Sequence, residues 1–319
     1  GEYPKNRLGL AKWLISNDHP LTARVAVNRF WIMLFGKGLV ATQEDFGNQG
    51  RLPTHPELLD WLAIDFIEKG WDIKAFLKQI LMSATYQQSS VPSKEGLEAD
   101  SENEYYSYFP AYRLSAEVIR DNALAASSLL SQKIGGPSVY PYQPDGIWAA
   151  LATRNATKYQ QGSGEDLYRR SIYTIWKRSS PPPSMMNFDA PDRYYCVVRR
   201  QKTATPLQSL VLMNDPQFLE AAKMLASRSL KEGGEKLSDR LDFMYQCLLG
   251  RPIREEEAKL LSELYEEELG EFERDKSRSQ KLLAIGESEV DPTLPQTELA
   301  AHSVIASTIM NFDEFVMKR

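Results

Sequence analysis

The side chains best equipped for chemistry lie between Glu165 and Lys202. This stretch carries eight basic residues (Arg169, Arg170, Lys177, Arg178, Arg193, Arg199, Arg200 and Lys202) against four acids (Glu165, Asp166, Asp189 and Asp192). Six aromatics are interleaved with them: Tyr168, Tyr173, Trp176, Phe188, Tyr194 and Tyr195. Planar guanidinium forks bind sulfate or carboxylate through paired hydrogen bonds, and aromatic faces pack against sugar rings. The combination suits an anionic glycan, with Arg169, Arg170, Trp176, Lys177, Arg178, Asp189 and Arg193 as ligand-contacting candidates. The competing account is structural: the arginines pair with Asp166, Asp189 and Asp192 and hold loops over a helical core.

A second polar group, Arg24 and Asn28, lies four residues apart on one face of an apolar helix, with Arg29 about 100° round. Buried there, such groups must find partners, either neighbouring loop backbone or a ligand. Asp189 and Asp192 are the weak catalytic candidates, as a carboxylate pair for glycosidase-type acid/base chemistry, although their separation is not fixed by sequence. The histidines His19, His55 and His302 have no helical metal spacing, so no metal is expected. No nucleophile elbow is present, and Gly162-Ser163-Gly164 lacks the rest of a phosphate loop. Cys196 and Cys247 form no CxxC; they are expected as two separate buried thiols, with pairing in an oxidising compartment left open.

These residues must be positioned by helices. With 42% hydrophobic residues and a net charge of -5, the chain reads as globular and not as a general nucleic-acid binder. No apolar run is long enough to span a bilayer, and the first residues do not resemble a signal peptide. Period-3.6 patterns predict helices from Leu8, from Thr22 as a cap, and from a Thr54–Glu57 capping box. Further helices are expected after Asp72, Ser115, Thr205, Asp215 and Ser238, over 254–284, and from Gln296 to Met310. Residues 91–104 read as a loop. Between Gly136 and Thr203 the pattern turns irregular, with a short helix near Trp148, a β-prone run at Ile172–Trp176 and the proline run 181–183. The expected fold is mainly α, multi-helical, with a loop-rich middle holding one or two short strands. Its divisions fall at 1–90, 91–203 and 204–319, packed as one unit.

Several stretches taken in order resemble a known family. They are Pro20-Leu21-Thr22-Ala23-Arg24-Val25-Ala26-Val27-Asn28-Arg29, Pro53-Thr54-His55-Pro56-Glu57-Leu58-Leu59-Asp60-Trp61-Leu62, and Ser83-Ala84-Thr85-Tyr86-Gln87-Gln88-Ser89. Gly135-Gly136-Pro137, Asp166-Leu167-Tyr168-Arg169-Arg170-Ser171, Phe188-Asp189-Ala190-Pro191-Asp192-Arg193 and Thr205-Pro206-Leu207-Gln208-Ser209-Leu210 continue the series. Together they resemble the planctomycete-type PSD-one domain, a family of unknown function, over about residues 5–318. The resemblance implies an exported, periplasmic or extracellular protein, with upstream domains of the same polypeptide as partners and often a cytochrome-c-like domain among them. It also implies a setting in polysaccharide utilisation. It supplies no catalytic residues. Any haem would sit upstream, because this chain lacks Cys-x-x-Cys-His, and no cofactor is expected in the chain itself. Two functions follow from the resemblance: a binding or scaffold module, or a polysaccharide-acting enzyme working with a haem domain.

Overall fold

The computed structural model describes residues 3–150 and 158–318. It is 54% helical, so the mainly α expectation holds. The contacts divide the chain into two compact units, one of Gly1–Tyr112 with Lys318–Arg319, the other of Arg113–Met317.

The first unit contains α1 (Arg7–Leu14), α2 (Thr22–Phe35), α3 (Pro56–Glu68), α4 (Ile73–Leu81) and the short α5 (Ala84–Gln87) and α6 (Lys94–Ala99). Its core joins Val27, Trp31 and Phe35 of α2 to Leu59, Leu62 and Phe66 of α3, with Phe76 and Ile80 of α4. These positions repeat at three and four residues, which is why the sequence pattern finds them. Helix α2 ends at Gly36, whose left-handed φ of 72° closes the last turn. A Cβ at Gly36 would stand 2.7 Å from the Tyr112 ring.

Two helix starts in this unit differ from expectation, and in the second unit the helix expected after Ser238 begins at Leu237 with no side-chain cap. The His19 ring, rather than Thr22, caps α2: its Nδ1 accepts from the backbone N–H of Thr22 at 3.1 Å and of Leu21 at 3.3 Å. Nor does the Thr54–Glu57 box form. Thr54 Oγ1 lies 2.9 Å from His55 Nδ1 instead, and no side chain caps α3. The stretch 91–104, expected as a loop, contains α6, capped by Ser93 through the Gly96 amide.

The second unit holds α7 (Ala116–Ala126), α8 (Ile147–Ala150), α9 (Pro183–Asn187), α10 (Pro206–Asn214), α11 (Pro216–Glu232), α12 (Leu237–Leu249), α13 (Glu255–Arg274), α14 (Lys276–Leu283), α15 (Gln296–Met310) and α16 (Asp313–Val316). Helices α11 and α15 form its axis. Ala221, Ala222, Leu225, Ala300, Ala301, Ile305 and Ala306 are all at or near zero exposure, and the alanines let the two backbones approach closely. The expected 254–284 helix is two helices, broken at Asp275, which accepts the Ser277 amide and starts α14. Strands β1 (Tyr112–Arg113) and β2 (Met317–Lys318) pair as a two-stranded sheet. Strand β1 falls within the 91–203 division but upstream of the irregular stretch that begins at Gly136, and β2 falls at the end of the 204–319 division. The β-prone run 172–176 instead forms a 3-10 turn over Ser171–Tyr173 and a single parallel bridge from Val139 to Thr174. The Ser171 amide is taken by the Asp121 carboxylate and the amides of Tyr173 and Thr174 by 3-10 bonds to Arg170 and Ser171, which leaves no run of free amides for a ladder.

His302 is buried on α15 with its ring edge-on to Tyr265, centroids 4.6 Å apart, and its Nδ1 2.8 Å from the Glu298 carbonyl. Burial, the largest influence, pushes its pKa down to about 4, and Arg240 adds to the effect. Above about pH 6.5 the ring is neutral in both folded and unfolded chains. Below that the unfolded chain binds the proton first, so stability falls as pH drops from about 6.5 to about 4, by roughly 3 kcal/mol in all. Urea unfolding measured across this range will show that loss, and His302→Leu will flatten it by the uptake of one proton. An unchanged pH slope in the variant would place the titration elsewhere.

Candidate functional site

The irregular middle is fixed onto the helices by a fully buried cation. Arg120, on the inner face of α7, donates through Nε to Gln217 of α11. It also donates to the Arg169 carbonyl at 2.8 Å, the Ser171 hydroxyl at 3.1 Å and the Leu167 carbonyl at 2.7 Å. Asp121, 3.7 Å away, supplies countercharge and accepts from both the amide and the hydroxyl of Ser171. Desolvation pulls the guanidinium down to about 10, while Asp121 and Asp215 oppose it. Two 3-10 turns, Gly164–Tyr168 and Ser171–Tyr173, are thereby held in place.

Arg169 is 1% exposed. It stacks over Tyr173 at 4.3 Å and donates to the carbonyls of Gly135 at 2.6 Å and Lys133 at 3.2 Å, so the Gly135-Gly136-Pro137 turn wraps around it. Its neighbour Arg170 is exposed and reaches Gln132. Lys177 lies over the Trp148 ring at 4.4 Å, and Arg178 is exposed. Trp176 packs against the core and donates from Nε1 to the Asp192 carbonyl, while Arg193 covers its ring at 4.3 Å.

Both carboxylate oxygens of Asp189 accept from Thr203, at 2.7 Å from the amide and 2.9–3.0 Å from the hydroxyl. Asp192 accepts from the Tyr194 amide. Each weak catalytic candidate therefore has a local backbone role. The acids foreseen as partners of the arginines do not serve as such: Asp189 binds Thr203, Arg193 stacks on a ring, and Arg200 pairs with Glu117 at 2.7 Å.

The Asp189–Thr203 clamp closes residues 190–202 into an excursion with adjacent ends. Gln208 braces its base, donating to the Asn187 carbonyl and the Thr203 hydroxyl. Its Oε1 also accepts the Thr205 amide at 3.4 Å, which completes the capping box expected at Thr205. Asp189 and Arg193 take left-handed backbone at φ 60° and 64°, a conformation uncommon for residues other than glycine. Every residue from Arg193 to Lys202 is exposed, Tyr194 by 60% and Tyr195 by 71%. Cys196, expected to be buried, is exposed on this loop, and Cys247 is half-buried; both thiols are free. Desolvation first, and then the like charge of Arg199, push the Lys202 ammonium below its ordinary value.

The second polar group is occupied internally in the first unit. Asn28 grips the Val40 backbone at both ends, Nδ2 donating to its carbonyl at 3.0 Å and Oδ1 accepting its amide at 2.9 Å. Gly38 permits this, since a Cβ there would stand 2.8 Å from Asn28 Oδ1. Arg24 pairs with Asp60 at 2.6 Å and also donates to the Pro20 carbonyl.

Residues that went unremarked in the sequence carry a comparable load. Lys223, 1% exposed on α11, donates to the carbonyls of Leu283, Ile285 and Ser288. Beside it, buried Glu220 accepts from the Tyr168 hydroxyl at 2.8 Å and the Ser288 amide at 2.6 Å. The available signal was a charge on an otherwise apolar helix face: Arg120 between Ile119 and Ala123, and Lys223 between Ala222 and Leu225.

Two substitutions test these assignments. Arg120→Met leaves buried carbonyls and Asp121 unanswered and is expected to destabilise the chain by about 3–5 kcal/mol. Arg170→Ala, on the adjacent exposed surface, is expected to change stability by less than about 0.5 kcal/mol. Denaturant melts of the two variants will separate them, and equal stabilities would remove the hub role from Arg120.

No curated protein matches the chain, and no solved structure matches it. Residues 6–265 match the family described as PSD1, Protein of unknown function (DUF1553). With most of its length covered by that match, the chain belongs to the PSD1 (DUF1553) family.

Proposed function

We propose that the chain is a binding module whose recognition surface is the loop 190–202, and that its ligand is an anionic polysaccharide such as a sulfated glycan. The observation that carries this is the Asp189–Thr203 clamp under an entirely exposed tip. Compact loops with joined ends are frequent sites of function, and a pinned base reduces the entropy lost when the tip binds. The tip offers Tyr194 and Tyr195 as flat faces for sugar rings. Arg199 and Lys202 add positive charge to the same exposed loop, suited to the anionic groups of such a ligand. Arg169, Arg24 and Asn28 hold the fold; Arg170 and Arg178 remain at the surface as accessory contacts. An exported setting in polysaccharide breakdown belongs to the same proposal.

Affinity electrophoresis in dextran sulfate and in neutral dextran tests it. The wild type is expected to be retarded by the sulfated polymer only, and less so as salt rises. Arg199→Ala with Lys202→Ala is expected to weaken retardation at least tenfold, and Tyr194→Ala with Tyr195→Ala several-fold, with melting temperatures unchanged. Retardation that survives all four substitutions would move the site away from this loop.

A further inference from the structure

A protease cuts a folded substrate where the backbone can lie extended in the enzyme's cleft. Main-chain hydrogen bonds then supply affinity, and a side-chain pocket supplies specificity. Sites on helices must first unwind, at a cost set by local stability. Lys259, Arg278 and Lys281 lie on α13 and α14 and carry that cost. Irregular chain can be engaged as well: Arg169 takes the Lys133 carbonyl, and Arg178 lies in a turn closed by the Ser180 amide donating to Lys177 at 2.9 Å.

Residues 195–201 need no such opening. No helix or strand falls between Asn187 and Pro206. From Tyr195 to Gln201 every residue is exposed, and no amide or carbonyl is hydrogen-bonded among the described residues. The two arginines in this stretch differ. Arg200 is held, its Nη1 and Nη2 donating to Glu117 of α7 at 2.7 and 3.0 Å. Arg199 makes no hydrogen bond or ion pair among the described residues.

We propose that the Arg199–Arg200 bond is a processing site for a serine protease of trypsin-like specificity, whose pocket ends in a carboxylate. The Arg199 guanidinium enters that pocket, and the unbonded peptide groups beside it pair with the enzyme. Hydrolysis breaks the bond between the Arg199 carbonyl carbon and the Arg200 nitrogen. Water supplies the hydroxyl that makes Arg199 a carboxylic acid and the hydrogen that makes Arg200 an amine, and these ionise to carboxylate and ammonium.

The fold fixes what the cut does. Downstream, Arg200 stays on Glu117 and Thr203 on Asp189, so the new N-terminus remains docked. Upstream, the last anchors are the Asp192 carbonyl on Trp176 and Arg193 over its ring, which leaves 194–199 as a tail. Gln208 still joins Asn187 to Thr203 across the base. The product is a two-piece protein with its frame intact and its tip opened.

Brief digestion of the whole chain with trypsin, followed by intact-mass measurement, tests this. The first products are expected to be 1–199 and 200–319, eluting together in size exclusion and parting only in denaturant. Arg199→Gln is expected to slow the first cut at least roughly tenfold, with the thermal melt unchanged because the side chain is exposed. A first cut outside the loop overturns the proposal, as does one within it that Arg199→Gln leaves equally fast. Fragments that separate without denaturant also overturn it, since the clamp would then not hold the product. No polyanion is present in the digestion, so this proposal and the glycan reading of the tip fail separately.

Discussion

Burying the guanidinium of Arg120 is the constraint on which the second unit depends. An isolated cation in such a place is strongly disfavoured, and its burial is tolerated only when its donors are matched. Here they are matched by carbonyls at 167 and 169, the Ser171 hydroxyl and Gln217, with Asp121 as countercharge. The reciprocal need is as important. Residues 164–173 form no ladder, and the inward carbonyls of Leu167 and Arg169 take their donors from Arg120. A single side chain on α7 therefore gives an irregular segment the hydrogen bonds that a strand would have found in a neighbour.

The same solution recurs wherever irregular chain meets a helix. Lys223 gathers three carbonyls from residues 283–288, Arg169 gathers two from 133–135, and Asn28 holds both ends of the Val40 peptide. Each is a polar side chain buried among apolar ones, and each holds backbone groups of irregular chain. Such residues are engaged within the fold, whereas the side chains from Arg193 to Lys202 are exposed.

The helices were legible because burial imposes a period on sequence, and α15 begins and ends where that pattern says it should. Capping was legible where the cap is local, as at Asp72, Asp215 and Thr205. It failed at Thr22, which is the first residue of the helix rather than its cap and whose own amide and hydroxyl meet the His19 ring three residues back. The aromatic and basic middle was legible as a region but not as a site. Arg169 and Arg170 are adjacent and chemically identical, yet one is sealed in and the other solvated, a difference set by the turn at Gly135–Pro137 more than thirty residues upstream. A pattern local in sequence cannot report a partner so distant. Arg120 shows the opposite case: a lone charge on an apolar helix face is visible in sequence, and its buried role could have been inferred there.

The base of loop 190–202 shows how far one local knot can extend. Gln208 completes the cap of α10, donates to the chain end at Asn187 and to Thr203, and accepts from Arg113 at 2.5 Å. Thr203 in turn takes up both oxygens of Asp189, whose left-handed backbone turns the chain out of α9. Closing a loop costs entropy that grows only slowly with its length, so once these bonds have joined the ends, the residues between them are free to vary in length and composition at little further cost. Stability is thereby concentrated in the knot, while the exposed residues of the tip can change independently of it.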